Sequence, residues 1–105
     1  MDHEVSPWIP HYQLVVDVEV SDLRAGVQFV ARTKTLSRIG CGIDTSFPIA
    51  KGANVRIKMY HQGAEIKAVA RVVYSGPESG LGIVFTNIDR GNERILELWI
   101  NELVN

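Results

Sequence analysis

The residues able to do chemistry are few and scattered. His3, His11 and His61 are the three imidazoles, and no two of them fall at the i, i+4 spacing by which a helix turns a pair of metal ligands to one side. They read as solvated histidines. Cys41, the single thiol, lies on the apolar side of an extended pattern with no cation or helix N-terminus beside it to favour a thiolate, so it reads as core and not as a nucleophile. With no second cysteine to pair with, it suits a reducing compartment, and the cytoplasm is the expected location. Asp17 and Glu19 point the same way along one strand, but a carboxylate dyad needs a cleft between its members, and an outward pair is ordinary soluble surface. Gly80-Leu81-Gly82 has glycines like those of a phosphate loop without the following helix or lysine, and reads as a tight turn entering a strand. No enzymatic constellation survives, and neither a metal nor an organic cofactor is expected.

One stretch is different. Thr35-Leu36-Ser37-Arg38-Ile39-Gly40-Cys41-Gly42-Ile43 joins two strands with a hydroxyl, successive backbone N–H groups and a glycine able to take positive φ. Such a turn can form a nest for an anion, with Ser37 donating to a phosphate oxygen; the other reading is an ordinary bulged hairpin. Eleven Lys and Arg against twelve Asp and Glu, a net charge of −1, argue against a general DNA or RNA binder. A small anion needing two or three basic groups is compatible with that balance.

These residues must be positioned by a chain of 105 residues, 46% hydrophobic, long enough for one domain with a modest core. Tyr12 to Val20 alternates, placing Leu14, Val16, Val18 and Val20 on one face; Ser21 to Gly26 turns the chain, and Val27, Phe29 and Ala31 follow in a second strand. Ile39, Cys41 and Ile43 predict a short third strand, ended by Asp44 to Pro48. After Lys51-Gly52, Val55, Ile57 and Met59 give a fourth; beyond His61-Gln62-Gly63, Ile66, Ala68, Ala70 and Val72 give a fifth; beyond Ser75 to Gly80, Leu81, Ile83 and Phe85 give a sixth. From about residue 88 the spacing turns helical: Asn87 or Asp89 can cap a helix whose Ile95, Leu96, Trp99, Ile100 and Leu103 share a face. The expected fold is mainly β, a small six-stranded antiparallel barrel with one C-terminal helix against it, since closure removes edges that would aggregate. The barrel domain is expected over 12–105, after an N-terminal segment over 1–11. No apolar run is long enough to span a bilayer, and the acidic Met-Asp-His-Glu start is unlike a signal peptide, so neither membrane insertion nor secretion is expected.

The order of pieces resembles a PilZ domain, the small β-barrel module of bacterial cyclic di-GMP signalling. The resemblance rests on Ser37-x-x-Gly40 before an apolar strand, Pro48 and Gly52 ahead of Val55-Arg56-Ile57, Ala70-Arg71-Val72-Val73-Tyr74, Gly80-Leu81-Gly82-Ile83-Val84-Phe85-Thr86, and the closing helix with Leu96, Trp99 and Leu103. It implies a ligand motif in two parts: Arg-x-x-x-Arg before the first strand, and Asp or Asn-x-Ser-x-x-Gly between the second and third. Ser37 and Gly40 match the second part, with Thr35 in place of the acid or amide that reads guanine. The arginine positions fall near Pro7 and His11, and neither is arginine. Losing two charge-assisted contacts removes about 3–6 kcal/mol, on the order of a hundred- to ten-thousand-fold in affinity.

The resemblance therefore implies a non-catalytic adaptor acting through protein contact, with nucleotide binding weakened or lost. Trp8 and Ile9, between two prolines, are its candidate partner contacts, and the nominally outward Val15, Val30, Val69 and Val73 could add an apolar patch. The alternative is a cyclic di-GMP receptor that uses Ser37, Arg38 and Gly40, helped by His11, whose imidazole gains charge as pH falls. Arg32 and Arg71 are further candidate substitutes for the absent arginines.

Overall fold

A computed structural model describes residues 9–104. Six strands, β1 (Asp17–Asp22), β2 (Val27–Leu36), β3 (Gly40–Asp44), β4 (Asn54–His61), β5 (Ala64–Gly76) and β6 (Gly80–Asn87), precede one helix, α1 (Arg90–Val104). The strands close into a barrel in the order β1-β2-β3-β6-β5-β4, every neighbouring pair antiparallel. Closure is made by β1 on β4, where Val18 faces Met59 and Val20 faces Ile57, all four fully buried. The period-two pattern of β4 shows why: Val55, Ile57 and Met59 enter the core while Arg56, Lys58 and Tyr60 face water. The β4–β5 hairpin turns on Gln62 (φ 53°) and Gly63 (φ 78°), the paired left-handed conformations of a two-residue turn that follows the twist of its strands.

The first strand is shorter than the alternation predicts. Tyr12 and Leu36 exchange backbone hydrogen bonds at 2.8 Å and the Val16 carbonyl accepts from Thr33 N at 3.0 Å, but regular pairing is interrupted between Tyr12 and Asp17. The buried Thr33 hydroxyl causes the gap: it accepts from Val16 N at 2.9 Å and donates to the Leu14 carbonyl at 2.7 Å, replacing backbone partners with a side chain. Leu14 and Val16 nevertheless reach the core.

The helix begins where a cap permits it. Asp89 Oδ1 accepts from Asn92 N at 2.9 Å, and the backbone and side-chain hydrogen bonds from Asn92 hold its carboxyl below the usual range. Asn92 in turn accepts from Lys67 N of β5 at 2.8 Å, tying the first turn to the barrel wall. Leu96, Trp99 and Ile100 are buried, with Trp99 edge-on to His61 at 5.2 Å between ring centres. Leu103, expected on the same face, is 39% exposed. Among the described residues no helix is long and apolar enough to cross a membrane.

Candidate functional site

The loop between β2 and β3 is a closed hydrogen-bonded device. Ser37 Oγ accepts from both Ile39 N and Gly40 N and donates to the Gly40 carbonyl, each at 3.2 Å, while Ser37 N reaches the same carbonyl at 2.9 Å. A hydroxyl has one proton and two lone pairs, so Ser37 is saturated, and it is 1% exposed. Of the two readings of this loop, the open nest is not the one formed: two of the N–H groups that would face an anion bind Ser37 instead.

Gly40 serves the close backbone approach that its place in a short strand suggests. It is not among the positive-φ residues; it lies opposite Val84 of β6, where a Cβ would collide with the Ile83 carbonyl oxygen. Next along this surface runs a row in register across four strands: Thr35 opposite Gly42, Gly42 opposite Gly82, and Gly82 opposite Tyr74. The phenol of Tyr74 lies over Gly82, in space that a Cβ there would fill, and its hydroxyl extends to within 3.4 Å of the Cβ position at Gly42. Thr35 Oγ1 accepts from Gly42 N at 3.2 Å.

Together these groups form a cleft of about 230 Å³, lined among others by His11, Thr35, Ser37, Gly40, Val73 and Tyr74. No Lys or Arg lines it among the described residues. Cys41 is in its floor, its thiol pushed up to about 12 by burial and thus protonated at neutral pH. That agrees with its reading as core.

The sequence-predicted residues divide. His11, Ser37 and Gly40 are brought together; Arg38 is not, because its guanidinium turns to Glu97 of α1 at 3.5 Å and it lines separate grooves with Pro10. Arg32 pairs with Asp17 at 3.6 Å, and Lys34 donates to the Ser79 carbonyl at 2.7 Å. Arg71 lies opposite Val84, a residue of the cleft lining, but is not itself part of that lining. Ile9 is half-buried beside Arg38 and Glu93 in a groove of about 340 Å³, and Trp8 lies outside the described residues. The four outward valines do not make one patch: Val30 is on β2 and Val69 and Val73 on β5, three steps apart around a six-stranded ring. Asp17 and Glu19 are not a dyad, since each has its own cation, Arg32 and, at 3.8 Å, Lys58.

Sequence reasoning missed Tyr74 as a wall of the cleft. Both Tyr74 and Gly82 stand out as residue types, but their alignment depends on a register shift between Val72 and Tyr74. It also missed a second concavity of about 590 Å³ on the β4–β5 wall, lined by Arg56, Lys58, Lys67, Val69, Asn87 and Asp89 among others. Alternation marks those cations as outward without saying that they converge.

Comparison with known proteins agrees with this geometry. The family model for the PilZ domain matches residues 10–102. Among solved structures, the PilZ domain of CeSA from a cellulose-synthesizing bacterium is 22% identical with a TM-score of 0.73, over 91% of this chain and 99% of that one. The PilZ domain with cyclic di-GMP of YcgR from Escherichia coli is 18% identical with a TM-score of 0.71, over 91% and 89%. The Bacillus subtilis inhibitor of motility MotI/DgrA is 13% identical with a TM-score of 0.76, all of this chain covering 53% of that protein. No curated protein matches the chain.

Proposed function

Given that the chain belongs to the PilZ domain family, a family of non-catalytic binding domains of the cyclic di-GMP network, we propose that it acts as an adaptor: it works through contact with a protein partner, and its own grip on the nucleotide is weakened or lost. The observation that carries this reading is the lining of the β2–β3 cleft. A doubly charged dinucleotide needs fixed positive charge and free hydrogen-bond donors. The described lining offers no Lys or Arg, the Ser37 hydroxyl is saturated within its own turn, and the N–H groups of Ile39, Gly40 and Gly42 are taken by Ser37 and Thr35. At about 230 Å³ the cleft is also below the roughly 300–1,000 Å³ of small-molecule sites.

Isothermal calorimetry with cyclic di-GMP tests the reading. No saturable heat is expected up to about 1 mM, at pH 8 or at pH 6. Saturation well below that concentration would replace the adaptor by a receptor. For the partner contact, Trp8→Ala is expected to weaken association without changing the circular dichroism of the barrel; a complex of wild-type strength would exclude Trp8 as the anchor.

A further inference from the structure

The cations of the β4–β5 wall have a structural cost, and two of them make only long, exposed ion pairs in return. Lys58 and Lys67 are direct cross-strand neighbours, an arrangement in which like charges destabilise a sheet. Each is drawn to a separate acid, Glu19 at 3.8 Å and Glu65 at 3.7 Å, both distances long for an ion pair and both lysines well exposed. Arg56, two residues before Lys58 on the same outward face, makes no ion pair among the described residues, and stands opposite half-buried Val69. Among the described residues, one carboxylate, Asp89, lines the concavity these side chains enclose, and it already caps α1. A chain of net charge −1 thus gathers three cations around one small apolar floor.

We propose that this concavity docks an acidic segment of a protein partner; the proposal names the surface and partner chemistry for the adaptor reading and rests on it. Arg56 and Lys58, two residues apart on a strand, are separated by about 7 Å, the spacing of alternate carboxylates in an extended peptide. Their aliphatic stems and Val69 give the peptide an apolar bed while the charged heads meet its acids. Nucleic acid fits less well: three cations neutralise few phosphates, and among the described residues no aromatic side chain lines the cleft for base stacking. Because the barrel is closed, no free edge is available for strand addition, and recognition passes through side chains.

The probe is a fluorescein-labelled peptide, Gly-Glu-Leu-Glu-Leu-Glu-Gly, with a twin carrying Gln for each Glu, titrated by fluorescence anisotropy at low and at physiological salt. The acidic peptide is expected to bind, more weakly as salt rises, and the twin is not. The triple variant Arg56→Gln, Lys58→Gln, Lys67→Gln should lose about three- to a hundredfold in affinity, whereas Arg24→Gln with Lys51→Gln, in a different cleft, should match wild type. Equal binding of the twin, an unaffected triple variant, or an oligothymidine bound more tightly than the peptide would overturn the proposal. Should the triple variant fold poorly, amide shift mapping on wild type decides: perturbation centred on Arg56, Lys58, Lys67 and Val69 supports docking there, and perturbation elsewhere refutes it. Cyclic di-GMP calorimetry on the same samples separates the two claims. A null there with no peptide binding leaves the adaptor without this surface, whereas nucleotide saturation removes the adaptor itself.

Discussion

Two walls of one barrel use their polar groups in opposite ways. On the β2–β3–β6 side, Ser37, Thr35 and the N–H groups of Ile39, Gly40 and Gly42 are bonded to one another, and the surface is shaped by glycines over which backbone and ring approach closely. On the β4–β5 side, Arg56, Lys58 and Lys67 project outward with little to hold them. The first wall has hydrogen-bonding groups that serve the fold; the second has charge that the fold does not need. Resemblance of a motif to a ligand site therefore says less about binding than the partners its donors already have.

The sharpest way to break this contrast is Gly40→Ala. If the glycine serves strand packing, the new methyl strikes the Ile83 backbone carbonyl, which cannot move without separating β3 from β6. A loss of about 3 kcal/mol is expected, a fall of about 12–24 °C in melting temperature. Wild-type stability would show instead that Gly40 is retained for something other than packing.

Ser37→Ala comes next. It leaves Ile39 N and Gly40 N without their acceptor in a buried turn, so about 2 kcal/mol of stability should be lost, measured by urea unfolding with an unchanged m-value. A serine held for ligand contact alone would be removed with little effect on unfolding. Gly82→Ala should act more mildly although it too creates a collision, because the atoms met belong to the ring of Tyr74, a side chain 44% exposed that can rotate away. About 1 kcal/mol is expected, together with a shift of the Gly42 Hα resonances as the ring leaves the row. Comparing it with Gly40→Ala separates a rigid wall from an adjustable one.

What the sequence made legible follows from range. Alternation and turn residues placed the six strands and the helix, because the faces of β4 and of Leu96, Trp99 and Ile100 depend on local periodicity and burial. The Thr33 hydroxyl, which takes over the partners of Leu14 and Val16, is nineteen and seventeen residues from them and leaves no periodic trace. The orientation of Arg38 is decided by Glu97, and the Gly42–Gly82–Tyr74 row by irregularities in the ladders of β2 and β5. The sequence marks Ser37 as a loop residue with hydrogen-bonding capacity, but which groups meet that capacity is a fact of tertiary geometry.

The other wall can be tested with a substitution of small effect and opposite sign. Lys67→Thr removes one member of the Lys58–Lys67 pair and installs a β-branched residue suited to a strand, at the loss of an exposed contact with Glu65. If the lysines are kept for a partner, the variant should be more stable than wild type by about 0.5 kcal/mol at low salt, with the gain shrinking as salt rises, and should bind the acidic peptide about threefold more weakly. Stability and binding moving in opposite directions is what distinguishes a functional charge from a structural one. If the variant is less stable, then Lys67 is held in place by Glu65 and the sheet, and the contrast between the two walls loses one of its members.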